Sequence, residues 1–212
     1  MTARVKICGI TRGSDAVLAA ELGASWIGFV FWPKSPRSVA PATASEILAE
    51  LPPHVAGVGV FVNQAIDEVN GIADAVGLSA VQLHGDESTA DCAACRRRVI
   101  RALRLRADDD VRAADGIWER TTLLVDAYDP VRYGGTGQVV DWTVAAELAS
   151  RRPTLLSGGL APHNVAAAIE TVAPYGVDVS SGVEAAPGVK DPDKLRAFFA
   201  AVRSTSGTRN ET

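Results

Sequence analysis

Short runs rich in β-branched and aromatic residues alternate with Ala- and Leu-rich stretches along the whole chain. The eight runs are 5–8, 26–32, 55–62, 80–84, 99–105, 122–127, 154–157 and 177–181. Strands that alternate with helices form βαβ units, and the strands of such units pair in parallel. Eight units in 212 residues predict an α/β protein with a single (β/α)8 TIM barrel, since a doubly wound sheet commonly has fewer strands. The first run is also not followed by Gly-x-Gly-x-x-Gly, which argues against a dinucleotide-binding fold.

The stretches between the runs have helical spacing, and several begin at a capping residue and end at glycine. The clearest are 14–24, 42–51, 66–77 and 163–173. No Pro- or Ser-rich linker divides the chain, so we expect one barrel domain over residues 1–203. The polar segment 204–212 is expected to be a disordered C-terminal tail.

Composition excludes several classes of protein. The formal net charge of −4 gives no basic surface for nucleic acid or an anionic membrane. The apolar runs are far shorter than the roughly 20 residues that span a bilayer, and the N-terminus has no secretion signal. Three cysteines, an odd number, form no disulfide framework and favour a reducing cytoplasm. We therefore expect a cytoplasmic monomer or homodimer that binds a small molecule.

In a TIM barrel the active site lies at the carboxyl ends of the strands, and the loops after strands seven and eight often bind phosphate. The seventh run leads into Gly158 and Gly159, ahead of a helix predicted to begin near Pro162. The eighth leads into Ser181 and Gly182. Glycine allows backbone N–H groups to approach an anion closely, and a helix N-terminus adds further donors. Two such loops in consecutive positions predict a phosphate site.

Two other strand ends carry groups that can move protons. Cys8 ends the first run and Asp126 ends the sixth, so a substrate bound between them meets a thiol on one side and a carboxyl on the other. A modest fall in the pKa of a thiol, ordinarily about 8.5, makes it a base near neutrality. On position alone, Cys8 as a buried core residue is the commoner interpretation. For Asp126 the alternatives are a helix cap or an ion-pair partner.

Nine motifs follow one another in order between about residue 4 and residue 200: KICGIT, GFVFWPKSPR, GVFVN, VQLHGDE, LLVDAY, YGGTGQVVDW, LSGGL, DVSSGVE and PGVKD. Each is unspecific by itself, but the ordered set resembles the phosphoribosylanthranilate isomerase family of tryptophan biosynthesis. The resemblance implies a (β/α)8 barrel with no cofactor and no metal. It also implies the Amadori rearrangement of N-(5-phosphoribosyl)anthranilate, a phosphosugar, to 1-(2-carboxyphenylamino)-1-deoxyribulose 5-phosphate.

The resemblance also assigns roles to residues. It implies that Cys8 is the general base and Asp126 the general acid. Arg37 matches the residue that contacts the anthranilate carboxylate, and a guanidinium fork suits that group better than Lys34 would. Asp178 matches a residue that supports the phosphate loop or the pocket floor.

Three further features have less specific interpretations. His84 ends the fourth run and is predicted to line the pocket, although a core histidine with satisfied hydrogen bonds is a close alternative. Gly135 lies in GGTG, which resembles a mobile lid with glycine hinges and could equally be a plain turn. The lid departs from the family pattern at Gln138, where lysine is usual, and at Val140, where an aromatic residue is usual.

Two other classes of function stay open from the sequence. One is a different phosphosugar enzyme on the same barrel, either a metal-dependent epimerase or a lyase, for which only Lys6 suggests the catalytic lysine. The other is a phosphometabolite-binding protein without catalysis, which has no need of the thiol and carboxyl pair. Cys92 and Cys95 are spaced like metal ligands but lack a second pair, so we interpret them as structural.

Overall fold

A computed structural model of the chain describes residues 3–105, 111–114, 116, 121–127 and 142–205. Eight strands form a closed barrel in chain order, and every neighbouring pair is parallel, including the first with the last. They are β1 Arg4–Cys8, β2 Trp26–Val30, β3 Ala56–Phe61, β4 Ala80–Leu83, β5 Arg98–Leu105, β6 Thr122–Ala127, β7 Thr154–Leu156 and β8 Gly176–Val179. The predicted (β/α)8 barrel is confirmed.

The helices cover the outside of the barrel. They are α1 Gly13–Leu22, α2 Pro41–Ala49, α3 Ile66–Val76, α4 Thr89–Ala94, α5 Trp142–Arg151, α6 Val165–Val172 and α7 Pro192–Ser204, with 3₁₀ turns at Val111–Ala114 and Ser181–Val183. Helix α6 begins at Val165 rather than near Pro162, because residues 162–164 form a turn. Helix α7 ends at Ser204 and Thr205 is buried; the rest of the predicted tail, 206–212, lies outside the described residues. No helix in the described ranges is long and apolar enough to cross a membrane.

Alternation along each strand separates two cores. On β1, Val5 and Ile7 belong to the large apolar core between the strands and the helices. Lys6 and Cys8 therefore point to the opposite face, into the barrel, because successive strand side chains lie on opposite faces. The part of the barrel interior farther from the carboxyl ends of the strands is apolar. It is formed by Val58, Ala80, Ile100, Ala102, Leu124 and Leu155. Polar inward residues near the carboxyl ends of the strands thus lie above a packed floor.

A short hairpin after β8 was not predicted. Strand β9, Glu184–Ala186, pairs antiparallel with β10, Val189–Lys190. The hairpin is fastened to the start of α1: Thr11 Oγ1 donates to the Gly188 carbonyl at 2.6 Å, and the Lys190 N–H donates to Asp15 Oδ2 at 2.9 Å. It therefore joins the last βα unit to the first and places Glu184 and Lys190 beside the barrel mouth.

Candidate active site

A pocket with about 680 Å³ of empty space opens among the carboxyl ends of the strands. Eight of the residues predicted from the sequence line it: Cys8, Arg37, His84, Asp126, Gly158, Gly159, Asp178 and Ser181. Of the other two, Gly182 does not line the pocket but lies against Leu160, which does. Gly135, with Gln138 and Val140, lies outside the described residues. The predicted residues that have side chains thus meet in one pocket from the ends of β1, β2, β4, β6 and β8.

Cys8 lies in the wall of the pocket at the end of β1, packed with Val30, Val60 and Trp32. Burial raises the pKa of its thiol, and the charges of Lys6 and Lys190 only partly oppose this. The surroundings of Cys8 therefore do not favour the modest fall in pKa that would make a thiol a base near neutrality. The reason is that an apolar wall disfavours the thiolate more than the neighbouring cations favour it.

Beneath Cys8, a buried ion pair crosses from β1 to β8. Lys6 Nζ lies 2.9 Å from Asp178 Oδ1, and neither side chain is more than 6 % exposed. Burial alone lowers the pKa of Lys6, but the charge of Asp178 and that of an ionised Cys8 outweigh it and raise the pKa overall. Lys6 is thus a fully buried ammonium ion. Asp178 also lines the pocket, and its support of the phosphate loop or the pocket floor stays a prediction.

Asp126 is the second-last residue of β6 and lies next to His84 in the pocket. His84 Nε2 lies 3.3 Å from Asp126 Oδ2, a long polar contact. On the other side of the ring, Gln82 Nε2 lies 2.8 Å from His84 Nδ1. Which of these two nitrogens donates depends on the tautomer of the ring. His84 is therefore a pocket residue beside Asp126, and Gln82, two residues before it, contacts the ring.

Arg37, in the segment after β2, is held by Glu184 of the hairpin. Arg37 Nη2 lies 2.7 Å and Nε 3.1 Å from Glu184 Oε2, and Nε lies 2.9 Å from Oε1. Lys190 Nζ contacts the same carboxylate at 2.9 Å. Burial by itself would raise the pKa of Glu184, but these two cations lower it overall. These bonds use only some of the five guanidinium N–H donors, so the others can serve a bound anion.

The loop after β7 has a backbone that only glycine adopts easily. Gly158 has φ 81° and Gly159 has φ 66°, both in the left-handed region. Asn164 fixes the loop: its Nδ2 donates to the Gly159 carbonyl at 2.9 Å, and its Oδ1 accepts from the Ala161 N–H at 2.8 Å. A Cβ on Gly182 would lie 1.9 Å from the Leu160 carbonyl oxygen, so this glycine lets the two predicted phosphate loops touch.

Ser180 was missed in the sequence analysis. It lines the pocket between Asp178 and the 3₁₀ turn, and its buried Oγ has no hydrogen-bond partner among the described residues. The signal was available, because an inward Asp178 at a strand end implies that the residue two further on also faces inward. Glu184 and Lys190 had no such signal, since they follow the barrel strands in a segment without alternation.

Metal-ligand side chains do not gather in the described part of the chain, where no three His, Cys, Asp or Glu residues cluster in a way that could hold a metal ion. Cys92 is buried on α4 and Cys95 follows the helix, half-buried. Both lie apart from the pocket. Their interpretation as structural cysteines stays a prediction.

The fold and the site together define a class: a TIM-barrel enzyme with a thiol and a carboxyl group facing one pocket beside a glycine-rich loop. The family model described as N-(5'phosphoribosyl)anthranilate (PRA) isomerase matches residues 5–201. The chain belongs to this family.

Individual relatives agree with the family match. The N-(5'-phosphoribosyl)anthranilate isomerase of Pelobacter propionicus is 48% identical over 209 residues, covering 99% of this chain and 98% of its own. The crystal structure of the Thermotoga maritima phosphoribosyl anthranilate isomerase superposes with a TM-score of 0.87 at 42% identity, covering 95% and 99% of the two chains. A crystal structure of such an isomerase in complex with reduced 1-(o-carboxyphenylamino)-1-deoxyribulose 5-phosphate has a TM-score of 0.84 at 40% identity, with the same coverage.

Proposed function

We propose that this protein catalyses the Amadori rearrangement of N-(5-phosphoribosyl)anthranilate in tryptophan biosynthesis, with Cys8 as general base and Asp126 as general acid. The observation that carries the proposal is that both side chains line one pocket from opposite sides, on β1 and β6. Acid and base catalysis on a single substrate needs this arrangement. The family relationship supplies the reaction, and a related isomerase binds a reduced form of the product.

The substrate is held at its two anionic ends. Its phosphate binds in the loops after β7 and β8, at Gly158, Gly159, Ser181 and Gly182, where backbone N–H groups serve as donors. Its anthranilate carboxylate binds the guanidinium of Arg37, which Glu184 already holds in place. The ribose then lies between Cys8 and Asp126. Gly135, in the predicted lid, covers the bound substrate in this proposal.

The reaction proceeds by two proton transfers. Asp126 gives its proton to the furanose ring oxygen, the bond from that oxygen to C1′ breaks, and the anthranilate nitrogen forms a protonated Schiff base. The Cys8 thiolate then takes the proton from C2′, which leaves a neutral enolamine that tautomerises to the ketone. At this point the carboxyl group has given its proton to the ring oxygen and the thiol holds the proton from C2′, so one proton leaves the thiol and one returns to Asp126 by exchange with solvent before the next turnover. The raised pKa of Cys8 implies that turnover increases as pH rises into the alkaline range.

The other interpretations have less support in the structure. A lyase that uses Lys6 as its catalytic residue needs the Lys6 ammonium group inside the pocket. Lys6 instead is fully buried, is paired with Asp178 and does not line the pocket. A protein that only binds a phosphometabolite does not need the carboxyl group of Asp126, beside His84, and the thiol of Cys8 in the same pocket. We further propose a cytoplasmic enzyme, either a monomer or a homodimer, that acts on a free small-molecule phosphosugar and not on nucleic acid or membranes.

The direct test is turnover by the purified protein. Phosphoribosylanthranilate is supplied with a metal chelator present, and the rearranged product is measured by chromatography. We expect conversion in the presence of the chelator. A folded protein that leaves this substrate unchanged but epimerises ribulose 5-phosphate would contradict the proposal.

Arg37→Ala is expected to weaken binding of the carboxylate-bearing substrate by roughly 10- to 100-fold, because a charge-assisted bidentate contact contributes about 1.5–3 kcal/mol. An analogue that lacks the carboxylate should bind almost equally to both forms. Comparison of dissociation constants for the two ligands measures the difference. Lys34→Ala, which removes an exposed cation from the same segment, is the matched control and should change neither constant. Equal losses for both ligands would assign Arg37 to folding or to the phosphate.

A further inference from the structure

The Lys6 ammonium ion is buried directly behind the proposed catalytic thiol. Its side chain is 0% exposed and it lies beneath the pocket, whose wall contains Cys8 and Asp178 but not Lys6. A buried ammonium ion costs several kcal/mol unless it is paired. An apolar residue would fill this place in the barrel at lower cost, so the charge itself calls for a function.

The backbone beside Cys8 leaves room for that lysine. Cys8 pairs with Gly28 on β2, and a Cβ on Gly28 would lie 3.1 Å from Cys8 Sγ and 3.1 Å from Lys6 Cε. The sulfur and the end of the lysine side chain therefore flank the same small space, which a larger residue on β2 would fill. The ammonium group at the end of the Lys6 side chain is therefore close enough to Cys8 for its positive charge to act on the sulfur.

The other charges around Cys8 do not replace Lys6. Lys190 of β10 and Arg37 also act on the thiol, but both are bound to Glu184. The residues that strand β2 and the neighbouring part of β3 place beside the thiol are uncharged: Gly28, Val30 and Val60. Asp178 of β8 is an anion and opposes ionisation of the thiol, although less strongly than Lys6 favours it. Lys6 is therefore the cation that most strongly stabilises a negative charge on the sulfur.

We propose that Lys6 is a positioning residue for catalysis, whose ammonium group, held by Asp178, hydrogen-bonds the Cys8 thiolate and keeps enough of the base ionised to react. The proposal rests on the isomerase reaction above, in which Cys8 removes the C2′ proton. That proton goes to the sulfur, and Lys6 stays protonated throughout. Lys6 does not touch the substrate.

The test compares Lys6→Met, the double variant Lys6→Met/Asp178→Asn, and Lys34→Met as the matched control. Methionine keeps the length of the lysine stem without its charge. The double variant leaves no unpaired carboxylate behind, so it guards against misfolding of the single variant. Lys34→Met removes an exposed positive charge that lies away from the sulfur.

The first measurement is the rate at which iodoacetamide, a neutral reagent, alkylates Cys8 as a function of pH, followed by mass spectrometry of the Cys8 peptide. We expect the midpoint of this profile to rise by about one pH unit or more in Lys6→Met, which is a tenfold loss of thiolate at neutral pH. The rise should be smaller but still upward in the double variant, because the opposing charge of Asp178 is lost as well. Lys34→Met should match the unmodified protein.

The second measurement is turnover across the same pH range. We expect kcat of Lys6→Met at neutral pH to fall about tenfold with KM nearly unchanged, and to recover toward the unmodified value above the new midpoint. Unchanged alkylation midpoints in both variants would overturn the proposal, as would a loss of kcat that high pH does not restore. Alkylation needs no turnover, so it decides the role of Lys6 even if the protein fails to convert phosphoribosylanthranilate.

Discussion

Cys8→Ser and Asp126→Asn are each expected to abolish turnover while leaving the fold intact. A serine hydroxyl is too weak an acid to supply the base, and an amide cannot give up the proton that opens the ring. Loss of one such group typically costs roughly 10²- to 10⁴-fold in rate. Steady-state kcat and thermal unfolding of each variant measure activity and fold separately.

The matched control for the cysteine is Cys92→Ser. Cys92 is also a buried thiol, but it lies on α4 away from the pocket. This variant should lose some stability, because a hydroxyl replaces a thiol in the core, and should retain its kcat. If Cys8→Ser or Asp126→Asn keeps more than about a tenth of the original kcat, the role assigned to that residue is wrong.

Gly159→Val is expected to raise KM for the phosphorylated substrate by at least about tenfold. A β-branched residue is strained at the left-handed φ of 66°, so the loop must rotate and carry its backbone N–H groups away from the phosphate. KM and the affinity for inorganic phosphate as a competing ligand are the quantities to measure. Gln138→Lys, in a segment outside the described residues, should change KM only a few-fold, since the phosphate site relies on backbone donors.

Backbone strain is controlled for by Gly77→Val. Gly77 ends α3 with φ 77°, and a Cβ there would meet nothing within 4 Å, so the substitution introduces similar strain far from the pocket. It should reduce stability and leave KM unchanged.

A structure with bound phosphate or sulfate on Lys34 and Arg37, and none at the glycine loops, would refute the proposed phosphate site. The barrel fold would still stand.

The barrel and much of the site could be predicted because both depend on local patterns. Eight apolar runs with helical stretches between them dictate the order of elements, and the fold then places the end of each run at one rim. Cys8, His84 and Asp126 are each the last or nearly the last residue of a run, so their position in the pocket followed from the strand assignment alone. Their catalytic roles came from the family resemblance and stay predictions.

What the sequence could not show is pairing between distant segments. Lys6 and Asp178 are 172 residues apart, and their contact depends on the register between β1 and β8. Glu184 lies in a hairpin whose strands have three and two residues, too short to show alternation. The direction in which burial shifts the pKa of Cys8 could not be seen in the sequence for the same reason, since it depends on how completely the surrounding segments exclude water from the sulfur.

The burial of the thiols also bears on oxidation. All three cysteines have pKa values raised by burial, that of Cys95 to about 11. Peroxides attack the thiolate rather than the thiol, so a cysteine kept mostly protonated is oxidised slowly to sulfenic acid. In the proposed mechanism, Lys6 supplies only as much thiolate as proton transfer needs. The apolar wall around Cys8 therefore protects the catalytic sulfur in the intervals between substrates.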